Sequence, residues 1–315
     1  MTDMFTSSIH KIQHPDMLAS QARRKPERPT PDNPLIVSAS ELATFLRCRV
    51  QHHWSYQCKL EPISTRVPLV MGKLGHRIFD EYYQLPSAGR NERSMERIAQ
   101  RLIKKTSVKE LPLEDKNLLR AMTIGYSKWA NSKKTEYGDR VIGIKKCFPE
   151  DAFLLPLVKD KSILVRGYID VRFKPELYKH TLAALESKFK KSIQMNDVEN
   201  KLQLSVYLWA MMEKWPKFKR YQVYYQILRK QMPGPRVKAA LFYREPVERD
   251  TDEIRQWAID AGRQAQDMLD AAVYPNPMDS CSYSCDFKVP CLLRGAARDL
   301  KSVLKEGFQK RSYAK

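Results

Sequence analysis

Asp170 is followed, after fifteen intervening residues, by Glu186-Ser187-Lys188, so that two carboxylates and an amine stand in a stretch otherwise made of strand formers, GYIDVRFKPELYKHTLAALESKFKK. Strand alternation places Ile163, Val165, Ile169, Val171 and Phe173 on one face and Asp170 on the other. In the second run the same rule groups Leu182, Ala184, Glu186 and Lys188. A hairpin through KPELYKH would bring Asp170 to Glu186, with the register left open. Carboxylates are hard-oxygen ligands for Mg²⁺ or Mn²⁺, a bound cation makes water more acidic, and an ammonium orients that water or steadies developing charge. Those are the requirements for hydrolysing a phosphodiester. The bland reading of the same residues is an exposed cross-strand ion pair worth less than about 1 kcal/mol.

Three further groups carry chemistry. In QLSVY, Gln203 and Tyr207 lie one helical turn apart, and in GKLGHRIFDEYY so do Gly72 and His76. Gly72 would admit another backbone, and a neutral imidazole suits Mn²⁺ better than Mg²⁺. CSYSCDFKVPC supplies the thiols of Cys281, Cys285 and Cys291, whereas a tetrahedral metal or a cubane cluster takes four ligands. Clustered cysteines in an intracellular chain point to metal before disulfide. Cys58 is one source of a fourth thiol, zinc is the alternative metal, and Cys147 in IKKCF reads as a packed strand residue.

Asp170 with Glu186-x-Lys188 resembles the PD-(D/E)XK nuclease superfamily, and Gln203-x-x-x-Tyr207 on the following helix is similar to the element of its RecB-type members. GKLGH resembles the family helix whose histidine joins the carboxylates at the metal, here His76. SASELATFLRCRVQHHWSYQCKLEP resembles the opening of the iron-sulfur branch, which includes the CRISPR adaptation nucleases and is similar to phage-type exonucleases. The resemblance implies a divalent-metal-dependent DNA nuclease, acting as an exonuclease on ends or single strands in recombination, repair or replication. His76, Asp170 and Glu186 would hold Mg²⁺ or Mn²⁺, Lys188 would position water, and Gln203 and Tyr207 would support substrate. It also implies a structural [4Fe-4S] cluster on Cys48, Cys281, Cys285 and Cys291, closing the domain around its sheet. Its partners would be DNA and recombination or replication proteins. The rival is a DNA-binding accessory protein that keeps the fold and does not cleave.

The elements that must position these groups read as an α/β (α+β) fold with a central mixed sheet flanked by helices and a restriction-endonuclease-like core. RVIGIKKCF, AFLLPLV, SILVRGYIDVRF and TLAALESKF read as successive strands, and RYQVYYQILRK and RVKAALFYRE as two more. DVENKLQLSVYLWAMMEKW reads as an amphipathic helix and DTDEIRQWAIDAGRQAQDMLDAAV as a long one with an acidic start. Ser38 and Glu41 stand at capping-box spacing before Leu42, Phe45, Leu46 and Trp54. The expected organisation is a flexible Pro-rich arm over 1–36, a nuclease domain over 37–291 with a helical insertion at about 86–140, and a basic tail over 292–315.

With 56 Lys and Arg against 36 Asp and Glu, the chain of 315 residues carries a formal charge of +20, which favours a polyanionic partner, nucleic acid before a membrane surface. The basic aromatic segment KRYQVYYQILRK offers rings that could stack on or track a single strand, but alternation puts Tyr221, Val223, Tyr225 and Ile227 on one face, so half of these aromatics are expected in the core. Hydrophobic residues make up 43%, enough for a sizeable core. No run approaches the roughly 18 apolar residues of a membrane span, and a cytoplasmic location is expected.

Overall fold

In a computed structural model, residues 28–311 are described apart from 65, 193–197, 199–200, 235–239, 277, 279–280, 282–284 and 294–296. Residues 1–27, most of the expected arm, lie outside the described residues. The elements run in the order β1 (Leu35–Ser38), α1 (Ala39–Arg47), α2 (Arg49–His52), β2 (Leu60–Pro62), α3 (Val67–Gln84), α4 (Glu92–Lys104), α5 (Leu113–Ala130), α6 (Asp139–Ile142), β3 (Cys147–Pro156), β4 (Ile163–Phe173), β5 (Thr181–Lys190), α7 (Leu202–Lys214), β6 (Arg220–Arg229), β7 (Phe242–Glu248), α8 (Thr251–Asp270), α9 (Lys288–Leu292), α10 (Ala297–Gly307) and β8 (Phe308–Lys310). The fold is a mixed α/β one with a central mixed sheet flanked by helices, and no helix among the described residues is long and apolar enough to cross a membrane.

One compact unit, Pro31–Ala39 with Thr65–Arg263, holds the main sheet, in the order β1-β4-β5-β6-β7 with β3 paired to β4. β3 runs antiparallel along β4. Two other strands also pair with β4, β1 in parallel with its first residues and β5 antiparallel with only Val171, Arg172 and Phe173. β5 and β6 pair in parallel along their whole length, which requires the crossover that α7 provides.

Val171 and Phe173 of β4, Ala183 and Leu185 of β5, and Tyr224 and Leu228 of β6 share one core with α3, α4 and α5 through Ile78, Phe79, Tyr82, Ile98, Leu102 and Tyr126. The helical stretch between the first helices and the sheet is therefore part of the sheet's own core.

Several expected elements differ. Arg140–Ile142 forms the helical turn α6, not a strand, because Gly143 at φ +74° ends it in the left-handed region. RVIGIKKCF and AFLLPLV then contribute to a single strand, β3, which starts at Cys147. α7 is not amphipathic: every residue from Leu204 to Met212 is buried, as befits a crossover helix covered on all sides. Tyr221, Tyr224 and Tyr225 of β6 are also buried, so the aromatic segment is core and offers no stacking platform. Leu42, Phe45 and Trp54 are buried as the helical spacing requires, but Leu46 is exposed.

The other unit, which includes Ser40–Ser64 and Gln264–Lys315, has a small core of Val50, Trp54, Phe287, Leu300 and Leu304. β2 and β8 form an antiparallel ribbon beside it. Phe287 stacks on Phe308 with ring centroids 4.9 Å apart and meets Trp54 at 5.3 Å.

Candidate active site

Asp170 sits where the sheet comes apart. On one side the β3 ladder passes from Pro149–Val171 to Asp151–Ile169 without a pair at Glu150, which adopts φ +47°. On the other side, the β5 pairing stops at Val171–Leu185, one step short of Asp170 and Glu186. The Ser187 N–H, released from the ladder, donates instead to Asp170 Oδ2 at 3.2 Å. A left-handed non-glycine residue and an interrupted ladder are costly features that cluster at functional positions.

Glu186 is fully buried, with the Tyr207 hydroxyl within hydrogen-bonding reach of its carboxylate. The Lys188 ammonium forms an ion pair with it. Burial, and then the charge of Asp170, push the Glu186 carboxyl up to about 7 from an ordinary 4.5, against the pull of Lys188 and His76. Burial alone would lower Lys188, but Glu186 and Asp170 outweigh it and hold the amine above its ordinary value, as a cation. Its Nζ also donates to Gln203 Oε1 at 3.0 Å, and Gln203 Nε2 donates to the Tyr207 hydroxyl at 2.9 Å. The one-turn spacing of Gln203 and Tyr207 on α7 thus becomes a short relay ending on the amine. Burial and the two carboxylates raise the Tyr207 phenol well above its ordinary value, so it stays protonated.

His76 joins from α3, with Nδ1 3.2 Å from Asp170 Oδ2. Burial would lower its pKa, but the contact with Asp170, together with the charge of Glu186, leaves it raised. The glycine that matters here is Gly75, where an added Cβ would lie 2.2 Å from the Phe189 ring of β5. Gly72, expected to fill that role, has nothing within 4 Å. The helix is rotated so that Gly75 faces the sheet, and His76 packs edge-on against Phe189 at 5.9 Å.

The structure therefore gathers His76, Asp170, Glu186, Lys188, Gln203 and Tyr207 into one linked group. Two acids at its margin escaped the sequence reading. Asp80 lies one turn after His76 on α3, a spacing that was available as a signal. Glu150 is raised by burial and by the charges of Asp80 and Asp170, and no local pattern announces its left-handed backbone.

The cysteines divide as their surroundings dictate. Cys147 donates its thiol to the Tyr83 carbonyl at 2.9 Å, as a packed strand residue. Cys48, Cys58, Cys285 and Cys291 pack against the core of Val50, Trp54, Phe287, Leu300 and Leu304. Burial raises the Cys285 thiol, and Cys281, Cys48 and Cys291 each raise it further, so these four sulfurs share one electrostatic neighbourhood. Cys58 Sγ also lies 3.3 Å from His53 Nε2. Among the described residues, no three His, Cys, Asp or Glu side chains stand in a ready-made metal cage.

A family model described as the PD-(D/E)XK nuclease superfamily matches residues 36–292. No curated protein matches the chain. Among solved structures, it is similar to a candidate exonuclease from Eubacterium rectale at 10% identity, covering 78% of this chain and 87% of that one with a TM-score of 0.47. It is also similar to SSO0001 at 14% identity, covering 88% and 92% with a TM-score of 0.39.

Proposed function

We propose, from the premise that the chain belongs to the PD-(D/E)XK nuclease superfamily, that this phosphodiester hydrolase is a divalent-metal-dependent DNA exonuclease whose active site is the group around Glu186. The observation that carries the reading is a fully buried carboxylate beside a second carboxylate that itself contacts an imidazole. Such a donor set suits Mg²⁺ or Mn²⁺, with His76, Asp170 and Glu186 as ligands. The bound ion would supply Lewis-acid stabilisation and a more acidic water. Lys188, held as a cation by the two acids and hydrogen-bonded to Gln203, would orient an attacking water and offset charge on the phosphoryl oxygens. Tyr207, protonated and bonded to Gln203, fixes the amide so that its carbonyl faces the amine.

End-labelled linear and circular DNA, single- and double-stranded, incubated with Mg²⁺ or Mn²⁺ alongside Glu186→Ala, tests this. Terminal products from linear substrates only, lost in the variant, are expected. Cut circles would replace the exonuclease reading with an endonuclease. Absence of any cleavage by the intact protein would favour a non-cleaving DNA-binding partner in recombination or replication.

We also infer that Cys48, Cys281, Cys285 and Cys291 hold a [4Fe-4S] cluster as in the iron-sulfur RecB-type branch, with zinc as the alternative occupant. The shared electrostatic neighbourhood of the four thiols, and the packing of Cys48, Cys285 and Cys291 against one small apolar core, support it. Anaerobically purified protein should be brown, with iron and sulfide that Cys281→Ser loses. A colourless zinc protein would overturn the assignment.

A further inference from the structure

A cleft of about 460 Å³, none of whose lining residues belongs to the group around Glu186, is lined by Ser87, Arg90, Asn131, Arg140, Lys145 and Glu176, with Gly143 in its wall. Gly143 shapes that wall, because an added Cβ would come within 2.7 Å of the Glu176 Cβ.

One cation in its lining is unusual. Arg90 is only 4% exposed, its Nη2 donates to the Lys145 carbonyl, its guanidinium lies 5.6 Å from the centre of the Tyr83 ring, and its buried Nε has no partner. The carboxylates in the cleft are already engaged. Asp139 accepts from Arg244 Nη2 at 2.8 Å and from the Tyr83 hydroxyl at 2.9 Å, and Glu176 pairs with Lys145 at 2.6 Å. No ion pair among the described residues includes Arg90 or the exposed Arg140. A buried guanidinium with no ion-pair partner is expensive, and an anion entering the cleft reduces that cost.

We propose that this cleft is a phosphate-binding site, with Arg90 and Arg140 supplying the charge. The guanidinium N–H donors that the Lys145 carbonyl does not take suit phosphate oxygens, and Arg90 is held in place by that carbonyl and the Tyr83 ring. The phosphate belongs either to a nucleic-acid strand or to a free mononucleotide, and the two are separable by experiment. The site stands on the cleft's own geometry and does not depend on cleavage at Glu186.

The test is a titration of the full-length protein with inorganic phosphate, a 5′-mononucleotide, and a short single strand with and without a 5′-phosphate. Ionic strength is held constant and no divalent ion is present, so that no strand is cut. Saturable binding is expected, weakened about tenfold or more in Arg90→Met and in Arg140→Glu. Arg90→Met retains a long side chain against Tyr83. Arg140→Glu alters an exposed position and keeps the test valid if the first variant fails to fold. Binding of phosphate or the mononucleotide alone assigns a free ligand, and binding only of the strand assigns its backbone. No saturable binding of any of these, or binding that Arg140→Glu leaves within about twofold of wild type, overturns the proposal.

Discussion

Glu186 concentrates the conflict between folding and chemistry in one side chain, because a fully buried carboxylate beside a second acid is costly to ionise. Its carboxyl is raised from 4.5 to about 7, so between those values the folded protein holds a proton that the unfolded chain has released. This group therefore favours folding fully below about pH 4.5, and its contribution is lost as pH rises through about 7. His76 is raised as well and acts in the same direction, from its ordinary 6.5 upward. Metal-free protein should melt at a lower temperature at pH 8 than at pH 5.5. Glu186→Gln should flatten that dependence, by an amount on the order of a few kcal/mol in unfolding free energy. Adding Mn²⁺ at pH 8 should restore the melting temperature of the wild type and not of the variant, since a cation replaces the proton on the deprotonated carboxylate. A wild type that is equally stable at both pH values, or a variant stabilised as much by Mn²⁺, would remove Glu186 from the ligand set.

At the scale of elements, the sharpest contrast lies within one helix. Gly75 of α3 is pressed against Phe189, whereas Gly72, three residues earlier, touches nothing. Gly75→Ala should force α3 away from β5, with a loss of about 1–3 kcal/mol from overpacking and a loss of activity as His76 moves with its helix. Gly72→Ala should be neutral or stabilising by up to about 1 kcal/mol, because it adds helix propensity without a clash. Equal effects of the two substitutions in thermal and denaturant melts would contradict this packing. The glycine-histidine spacing was legible in the sequence, but the rotation of the helix was not, since Gly72 and Gly75 flank the same face and only the partner ring selects between them. The meeting of Asp170 with Glu186 was likewise readable as a consequence of alternation once a hairpin joins the strands. The end of pairing at that step was not, because it depends on the left-handed Glu150 and on β1 sharing β4 with β5. α6 was misread since Val141, Ile142 and Ile144 suit a strand as well as a turn, and Gly143 decides between them through its backbone alone.

Behind the active-site strand, the sheet and the helices that cover it are joined by a buried polar network. The Ser187 hydroxyl accepts from Gln226 Nε2 at 2.6 Å, and Gln226 Oε1 accepts from Arg244 Nε at 3.0 Å and from the Tyr126 hydroxyl at 3.1 Å. Arg244 then reaches Asp139 at 2.8 Å and the Tyr137 carbonyl at 2.6 Å. β5, β6, β7, α5 and α6 are thereby connected through one guanidinium that is 3% exposed. Removing it strands a buried carboxylate, so Arg244→Met should cost about 3–5 kcal/mol, while the double variant with Asp139→Asn should recover part of that loss. Strictly additive losses in a double-mutant cycle would show that the pair is not coupled. Charge across the whole molecule is a separate matter. The basic residues of α8 are largely balanced locally, since Arg255 pairs with Asp252 and Arg263 with Asp260 on exposed turns. Such pairs contribute little to stability and present little net field. The excess of +20 must then act through cations without local partners, Arg140 among them. Binding of single-stranded DNA without divalent ions should weaken linearly with the logarithm of salt concentration, with a slope of about −0.7 for each phosphate contacted. Arg140→Glu should make that slope shallower and Arg255→Glu should not. A slope near zero in the wild type, or the same change from both substitutions, would mean that the net charge serves something other than contact with a phosphate backbone.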